Sequence, residues 1–91
     1  MTARSDISKL SRVLYDDVRG EIIEMLKSGE MCGREISNRL MMPGPTVSFH
    51  MRMLVDTGIV SSRCEGTKTF YFLNQEGGRR AAEILYSFLS F

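Results

Sequence analysis

The sequence predicts a mainly α-helical domain with one small β-hairpin, and three observations carry that prediction. Apolar residues recur at helical spacing through most of the chain. After Gly58 the period drops from about 3.6 residues to 2. A double-proline segment, Met42-Pro43-Gly44-Pro45, punctuates the helical part near its middle.

Ile7, Leu10, Val13 and Leu14 fall on one side of a first helix, Ser5 to Tyr15, with Ser5 or Asp6 as its cap. A second helix restarts at Asp17 and runs to Ser28. It buries Val18, Ile22, Met25 and Leu26, carries acids in its first turn and stops at Gly29. The stretch Met31-Cys32-Gly33 leads into a short third helix, Arg34 to Leu40, with Ile36 and Leu40 inward. Pro45 suits the first turn of a fourth helix, because a proline's missing N–H has no partner there anyway. That helix runs from Pro45 to Thr57, is closed by Gly58, and turns Val47, Met51, Leu54 and Val55 inward. Ile59 to Cys64 and Thr67 to Leu73 read as two strands, with Glu65-Gly66 as the hairpin turn. Gln75 to Phe91 forms a last helix whose apolar stripe is wider than an exposed terminal helix tolerates. It calls for something to pack against.

With 91 residues, 43% apolar and 25% charged, the chain has the make-up of one globular domain, residues 1–91, near the lower end of sizes that bury a core unaided. No run reaches the roughly 18 to 20 apolar residues needed to span a bilayer, and Met1 to Leu10 lacks a signal peptide's apolar block, so a cytoplasmic location without membrane contact is expected. Two cysteines, Cys32 and Cys64, are too few for a disulfide framework and too far apart in sequence for a zinc knuckle. The net charge of +1 does not announce a nucleic-acid partner. Its distribution is more informative: Arg34, Arg39, Arg52, Arg63 and Lys68 outnumber Glu35, Asp56 and Glu65, whereas acids dominate Asp16 to Glu30.

Two short helices joined by a Gly/Pro turn and followed by a two-stranded hairpin make the plan of a winged helix-turn-helix, α1-α2-α3-α4-β-β-α5. In that plan 34–57 is the helix-turn-helix and 59–73 the wing, while 5–15 and 75–91 are the flanking first and last helices. The fourth helix is wide enough to fill a B-DNA major groove, and away from its stripe it offers Thr46, Ser48, Phe49, His50, Arg52 and Met53. The candidate DNA-contacting set is Arg34, Gly44, Pro45, Thr46, Ser48, Phe49, His50, Arg52, Arg63 and Lys68. Short hydroxyls can approach phosphates or base edges, and Arg52 can pair with a phosphate or a guanine.

The run Pro45-Thr46-Val47-Ser48-Phe49-His50-Met51-Arg52-Met53-Leu54-Val55-Asp56-Thr57-Gly58-Ile59-Val60 closely resembles the recognition helix and following strand of the ArsR/SmtB family, which reads T-V-S-x-H-L-x-x-L-x-x-A-G-L-V. The resemblance continues through Arg63-Cys64-Glu65-Gly66 and Tyr71-Phe72-Leu73. Upstream, Asp17-Val18-Arg19-Gly20-Glu21-Ile22-Ile23 is similar to the family's D-P-T-R-x-x-I-L signature. It spans Ile7 to Leu89, nearly the whole chain.

That resemblance implies a homodimeric repressor that binds an inverted-repeat operator on double-stranded DNA and releases it on a signal. The implied dimer seam is Ile7, Leu10, Leu14, Ala81, Ile84, Leu85, Phe88 and Leu89. It also implies His50 as the family's recognition-helix histidine, a structural or DNA-contacting residue. The family's metal-ligand sets are incomplete here. Thiolate sensors carry Cys-x-Cys near the third helix, and this chain has Met31-Cys32-Gly33. Zinc sensors carry Asp and His in the last helix, and this one has Glu76 and Glu83 without His or Cys, so no metal or cofactor is expected. Cys64 stands where the wing often has a second arginine. The seven methionines read as adaptable packing.

Besides a DNA-binding repressor, two readings stay open: a winged-helix module that binds protein, and a thiol-based redox-responsive repressor using Cys32 and Cys64 as candidate redox residues. An enzyme is not expected. Ser48, His50 and Asp56 on one helix point in different directions and form no triad, and no phosphate loop is present.

Overall fold

A computed structural model describes residues 4–91, so the segment Met1 to Leu10, read above for a signal peptide, begins outside the described residues. The elements are α1 (Arg4–Leu14), α2 (Asp17–Leu26), β1 (Met31–Cys32), α3 (Gly33–Leu40), α4 (Gly44–Asp56), β2 (Val60–Glu65), β3 (Lys68–Leu73) and α5 (Gln75–Leu89). Helices and hairpin follow the predicted order. One element is new: β1 pairs antiparallel with β3, Met31 opposite Tyr71 and Cys32 opposite Phe70, which gives a three-stranded sheet of order β1-β3-β2. A two-residue strand is too short to display alternation.

Smaller departures have local causes. α1 is already helical at Arg4, so neither Ser5 nor Asp6 caps it. The hairpin turn is Gly66-Thr67, because Glu65 pairs with Lys68 across the ladder. Of the two turn residues only Gly66 has positive φ, the pattern of a type II′ turn. Asp16 caps α2 by accepting from the N–H groups of Val18 (2.8 Å) and Arg19 (3.1 Å). Burial pushes its carboxyl pKa up, but those donors, the Arg19 charge and His50 outweigh it and hold the value below the ordinary one. The stability this adds is present above the usual carboxylate range and fades as pH falls through the lowered value.

Ile22, Ile36, Met51, Leu54 and Val60, from α2, α3, α4 and β2, are sealed in the centre of the core. Asn74 starts α5, accepting from Gly77 N–H at 2.8 Å and donating to Ser61 Oγ at 2.9 Å. At Gly77 the helix touches the chain reversal after α4 so closely that a Cβ there would lie 1.7 Å from the Gly58 carbonyl oxygen. Beyond Ala81 the helix leaves the body: Ile84 and Leu85 are half-buried, and Tyr86, Phe88 and Leu89 are exposed. The molecule measures 45 × 21 × 21 Å with a radius of gyration of 13.7 Å. A compact chain of this length would have roughly 12 Å.

Part of the expected dimer seam is already covered within one chain. Ile7, Leu10 and Ala81 are buried within the chain's own core, between α1 and α5. Periodicity shows that a residue is apolar on one face, not whether its own chain or a partner covers it.

Candidate nucleic-acid interface

The turn between α3 and α4 is built by short-range bonds. Met41 takes a left-handed conformation, φ 54°, and its N–H donates to Asn38 while that of Met42 donates to Ser37, the pairing of a Schellman closure. The Ser37 hydroxyl donates to the Met42 carbonyl. Pro43 then caps α4, its carbonyl accepting from the N–H groups of Thr46 and Val47, both at 3.1 Å. Pro45 sits in the first turn, as its chemistry requires.

α4 is thereby held with Val47, His50, Met51 and Leu54 inward and Thr46, Ser48, Phe49 and Arg52 outward. Positions 48, 49 and 52 share one face. Met53 is half-buried. His50 is a correction: read as part of the outward face, it is only 9% exposed and its Nδ1 lies 2.9 Å from Nη1 of Arg19. Sequence reasoning missed Arg19, although its spacing from Ile22 and Leu26 places a cation on the buried stripe of α2.

Beside α4 the hairpin forms the second wall of a groove of about 580 Å³. Its rim and floor include Arg34 and Asn38 from α3, Gly44 and Ser48 from α4, and Lys68 and Tyr71 from the wing. None of the residues lining it is acidic. Burial raises the Tyr71 phenol above its usual pKa, so it stays a donor. Among the described residues Arg34, Arg52 and Lys68 make no close ion pair within the chain, although the Lys68 charge helps to hold Glu35 below its usual pKa. The groove was not legible in sequence, since it depends on how the wing leans against the helices.

Arg63, the other expected wing cation, is differently placed. Its guanidinium binds both carboxylate oxygens of Glu30 and reaches Glu65 at 3.1 Å, and it lies 4.8 Å above the centre of the Phe70 ring. The Arg63 bond holds the Glu30 carboxyl below its usual pKa. Two acids compensate this arginine, so it contributes little free positive charge to the wing. The carboxylate of Glu35 accepts from the Cys32 N–H at 2.9 Å, which lowers its pKa and closes the start of α3.

The thiols are not brought together. Cys32 is buried and Cys64 exposed, on strands with β3 between them, which places them roughly 10 Å apart. Their partners on β3, Phe70 and Thr69, are adjacent residues, so the two side chains point to opposite faces. No disulfide within one chain can span that distance. Among the described residues no three His, Cys, Asp or Glu side chains cluster to hold a metal ion, and no helix is long and apolar enough to cross a membrane.

A short helix, a tight turn, a second helix with a polar outward face and a hairpin beside it define a winged helix-turn-helix protein. The family model for bacterial regulatory proteins of the arsR family matches residues 16–62, and the chain belongs to that family. It is similar to the arsenical resistance operon repressor of Staphylococcus xylosus, 38% identical over 71 residues covering 78% of this chain and 68% of that protein. The cadmium resistance transcriptional regulatory protein CadC homolog of Staphylococcus aureus is 33% identical over 79 residues, 86% of this chain and 65% of that protein. The chain thus spans about two thirds of the length of these relatives. HlyU from Vibrio cholerae superposes with a TM-score of 0.72 at 27% identity, covering 93% of this chain and 92% of that one. The homodimeric winged helix-turn-helix DNA-binding domain Mb0332 from Mycobacterium bovis shares the fold, with a TM-score of 0.75 at 24% identity over 91% of this chain and 78% of that one. The two staphylococcal relatives are transcription regulators and not enzymes, and the chain is a DNA-binding regulator of the same family.

Proposed function

We propose that the chain is a sequence-specific repressor that binds an inverted-repeat operator as a homodimer, in the cytoplasm and without the family's metal sites. The observation that carries this reading is the acid-free groove lined by Arg34 and Lys68 beside the outward face of α4, which itself carries Arg52. With α4 in the major groove, Thr46, Ser48, Phe49 and Arg52 meet base edges and nearby phosphates, and Gly44 and Pro45 bring the backbone close to the sugar-phosphate chain. Lys68 and Arg34 straddle the adjoining phosphates, while Arg63 braces the wing through Glu30.

The domain plan follows: 34–57 reads DNA, 59–73 is the wing, and the helices in 5–15 and 75–91 join two copies across a single unit spanning 1–91. The seam comprises Leu14, Ile84, Leu85, Phe88 and Leu89, to which the exposed Tyr15 and Tyr86 add area. A lone buried Cys32 at the start of α3, and Glu76 and Glu83 on α5, do not make the family's thiolate or zinc ligand sets, so the reading includes neither.

Selection of bound duplexes from a random pool tests the reading. A two-fold symmetric site with half-sites about one helical turn apart is expected, with affinity falling steeply as salt rises. Arg52→Ala should weaken binding to the selected site by about 1–3 kcal/mol, a factor of roughly five to 150, at unchanged melting temperature. Lys68→Ala should weaken all duplexes alike and lower the salt slope by about one. Recovery of no preferred sequence, or full affinity in both variants, would refute the assignment.

A further inference from the structure

Arg19 and His50 form a junction that the DNA-contacting surface does not use directly. The Arg19 side chain is almost fully buried. Its Nε donates to the Val13 carbonyl at 2.7 Å, its Nη2 donates to that of Arg12 at 3.2 Å, and its Nη1 meets His50 Nδ1 at 2.9 Å. A guanidinium has donors only, so Nδ1 must be the acceptor and the ring proton resides on Nε2. One side chain on α2 thus fills the orphan carbonyls at the C-terminus of α1 and grips α4 between Ser48 and Arg52.

Everything else that buries α4 is apolar: Val47, Met51 and Leu54. Such burial is non-directional, and methionine adapts to its surroundings, so it resists withdrawal of the helix more than rotation about its axis. Among the described residues the contact from Arg19 is the one buried side-chain hydrogen bond that reaches α4 from another element, since the Lys9–Asp56 pair that also ties α1 to α4 is solvent-exposed and worth little. The sensitivity is large. At a helix radius of about 5–6 Å, a rotation of roughly 20° moves the outer side chains by about 2 Å. That is enough to lose a hydrogen bond to a base edge.

We propose that Arg19 is a positioning residue for operator recognition: through His50 it sets the rotation of α4 against α1 and thereby decides which base edges Ser48 and Arg52 meet. The proposal rests on the DNA-binding reading of α4 given above. It predicts a loss of discrimination and not of general DNA affinity, because phosphate contacts depend little on a small rotation.

The test compares the full-length wild type with His50→Leu, which fills the space without an acceptor, and His50→Asn, whose Oδ1 can replace Nδ1. Each binds the duplex selected by the wild type and a scrambled duplex of the same length. His50→Leu is expected to bind the selected duplex about tenfold or more weakly, with affinity for the scrambled duplex and the salt slope unchanged, and His50→Asn to recover most of the difference. An unchanged ratio of selected to scrambled affinity in His50→Leu overturns the positioning role while DNA binding by the wild type stands. A wild type with no sequence preference overturns both. Nitrogen NMR of the wild type supplies a measurement that does not depend on any variant folding, since His50 is the chain's one histidine. The Nε2–H tautomer is expected, and an Nδ1–H tautomer overturns the proposal because Arg19 has no lone pair to receive that proton.

Discussion

α4 and α5 are both amphipathic, yet the chain finishes one and leaves the other unfinished. On α4 the apolar stripe is closed over by α2, α3 and β2, and Met51 and Leu54 have no exposed surface. On α5 only Gly77 and Ala81 are buried, while Phe88 is 51% and Leu89 61% exposed. An apolar residue left in water forgoes roughly 1.5–3 kcal/mol of burial, so a terminal helix carrying several of them is built to be covered. The outward face of α4 is supported from within one chain, whereas the proposed dimer seam on the C-terminal helix is left uncovered by its own chain.

The change expected to break this contrast most sharply is Leu85→Glu. Leu85 is half-buried on α5 between the sealed Ala81 and the exposed Leu89, so in a dimer its carboxylate would be trapped in the seam without a partner. Sedimentation should show the wild type as a dimer and the variant as a monomer of unchanged helix content. Operator affinity should fall by a hundredfold or more, because the second half-site loses its tether. A wild type that sediments as a monomer at micromolar concentration would mean that the uncovered face has some other purpose.

Gly77→Ala addresses the root of α5, where the helix is still part of the body. A methyl group there would meet the Gly58 carbonyl oxygen, and backbone on both sides leaves little room to yield. A loss of about 2–3 kcal/mol is expected in denaturant unfolding. The neighbouring Gly78→Ala, with nothing within 4 Å of the added atom, should gain about 0.5–1 kcal/mol from helix propensity alone. Equal responses at the two sites would show that α5 is not pinned at its start.

The elements were legible because each rests on local chemistry: period for the helices and hairpin, proline for the start of α4, glycine after its end. What escaped the sequence was set by tertiary partnership. His50 falls on the inward side of α4 by its spacing from Val47 and Leu54, and what the sequence did not disclose is its buried partner there, Arg19, thirty-one positions earlier. Ile7, Leu10 and Ala81 serve the chain's own core because α1 and α5 pack together, which periodicity cannot distinguish from packing across a dimer. Arg63 reads as a free wing cation until Glu30, distant in sequence, is found across from it. Of the candidate site, the outward residues of α4 could be read from spacing, and the groove beside them required the fold.

The smallest effect expected lies in the finished half, at the turn that presents α4. Met41 adopts a left-handed backbone that costs an ordinary residue about 1–2 kcal/mol, and its side chain is 91% exposed, so no packing compensates for the strain. Met41→Gly removes that strain at some cost in unfolded-chain entropy, and a net gain of about 0.5–1 kcal/mol in thermal or denaturant unfolding is expected. Operator affinity should not change, since Asn38 and Ser37 still accept from the same two backbone N–H groups and hold α3 and α4 in register. A loss of affinity in this variant would mean that the methionine itself touches DNA, and the reading surface would then extend from α4 back into the turn.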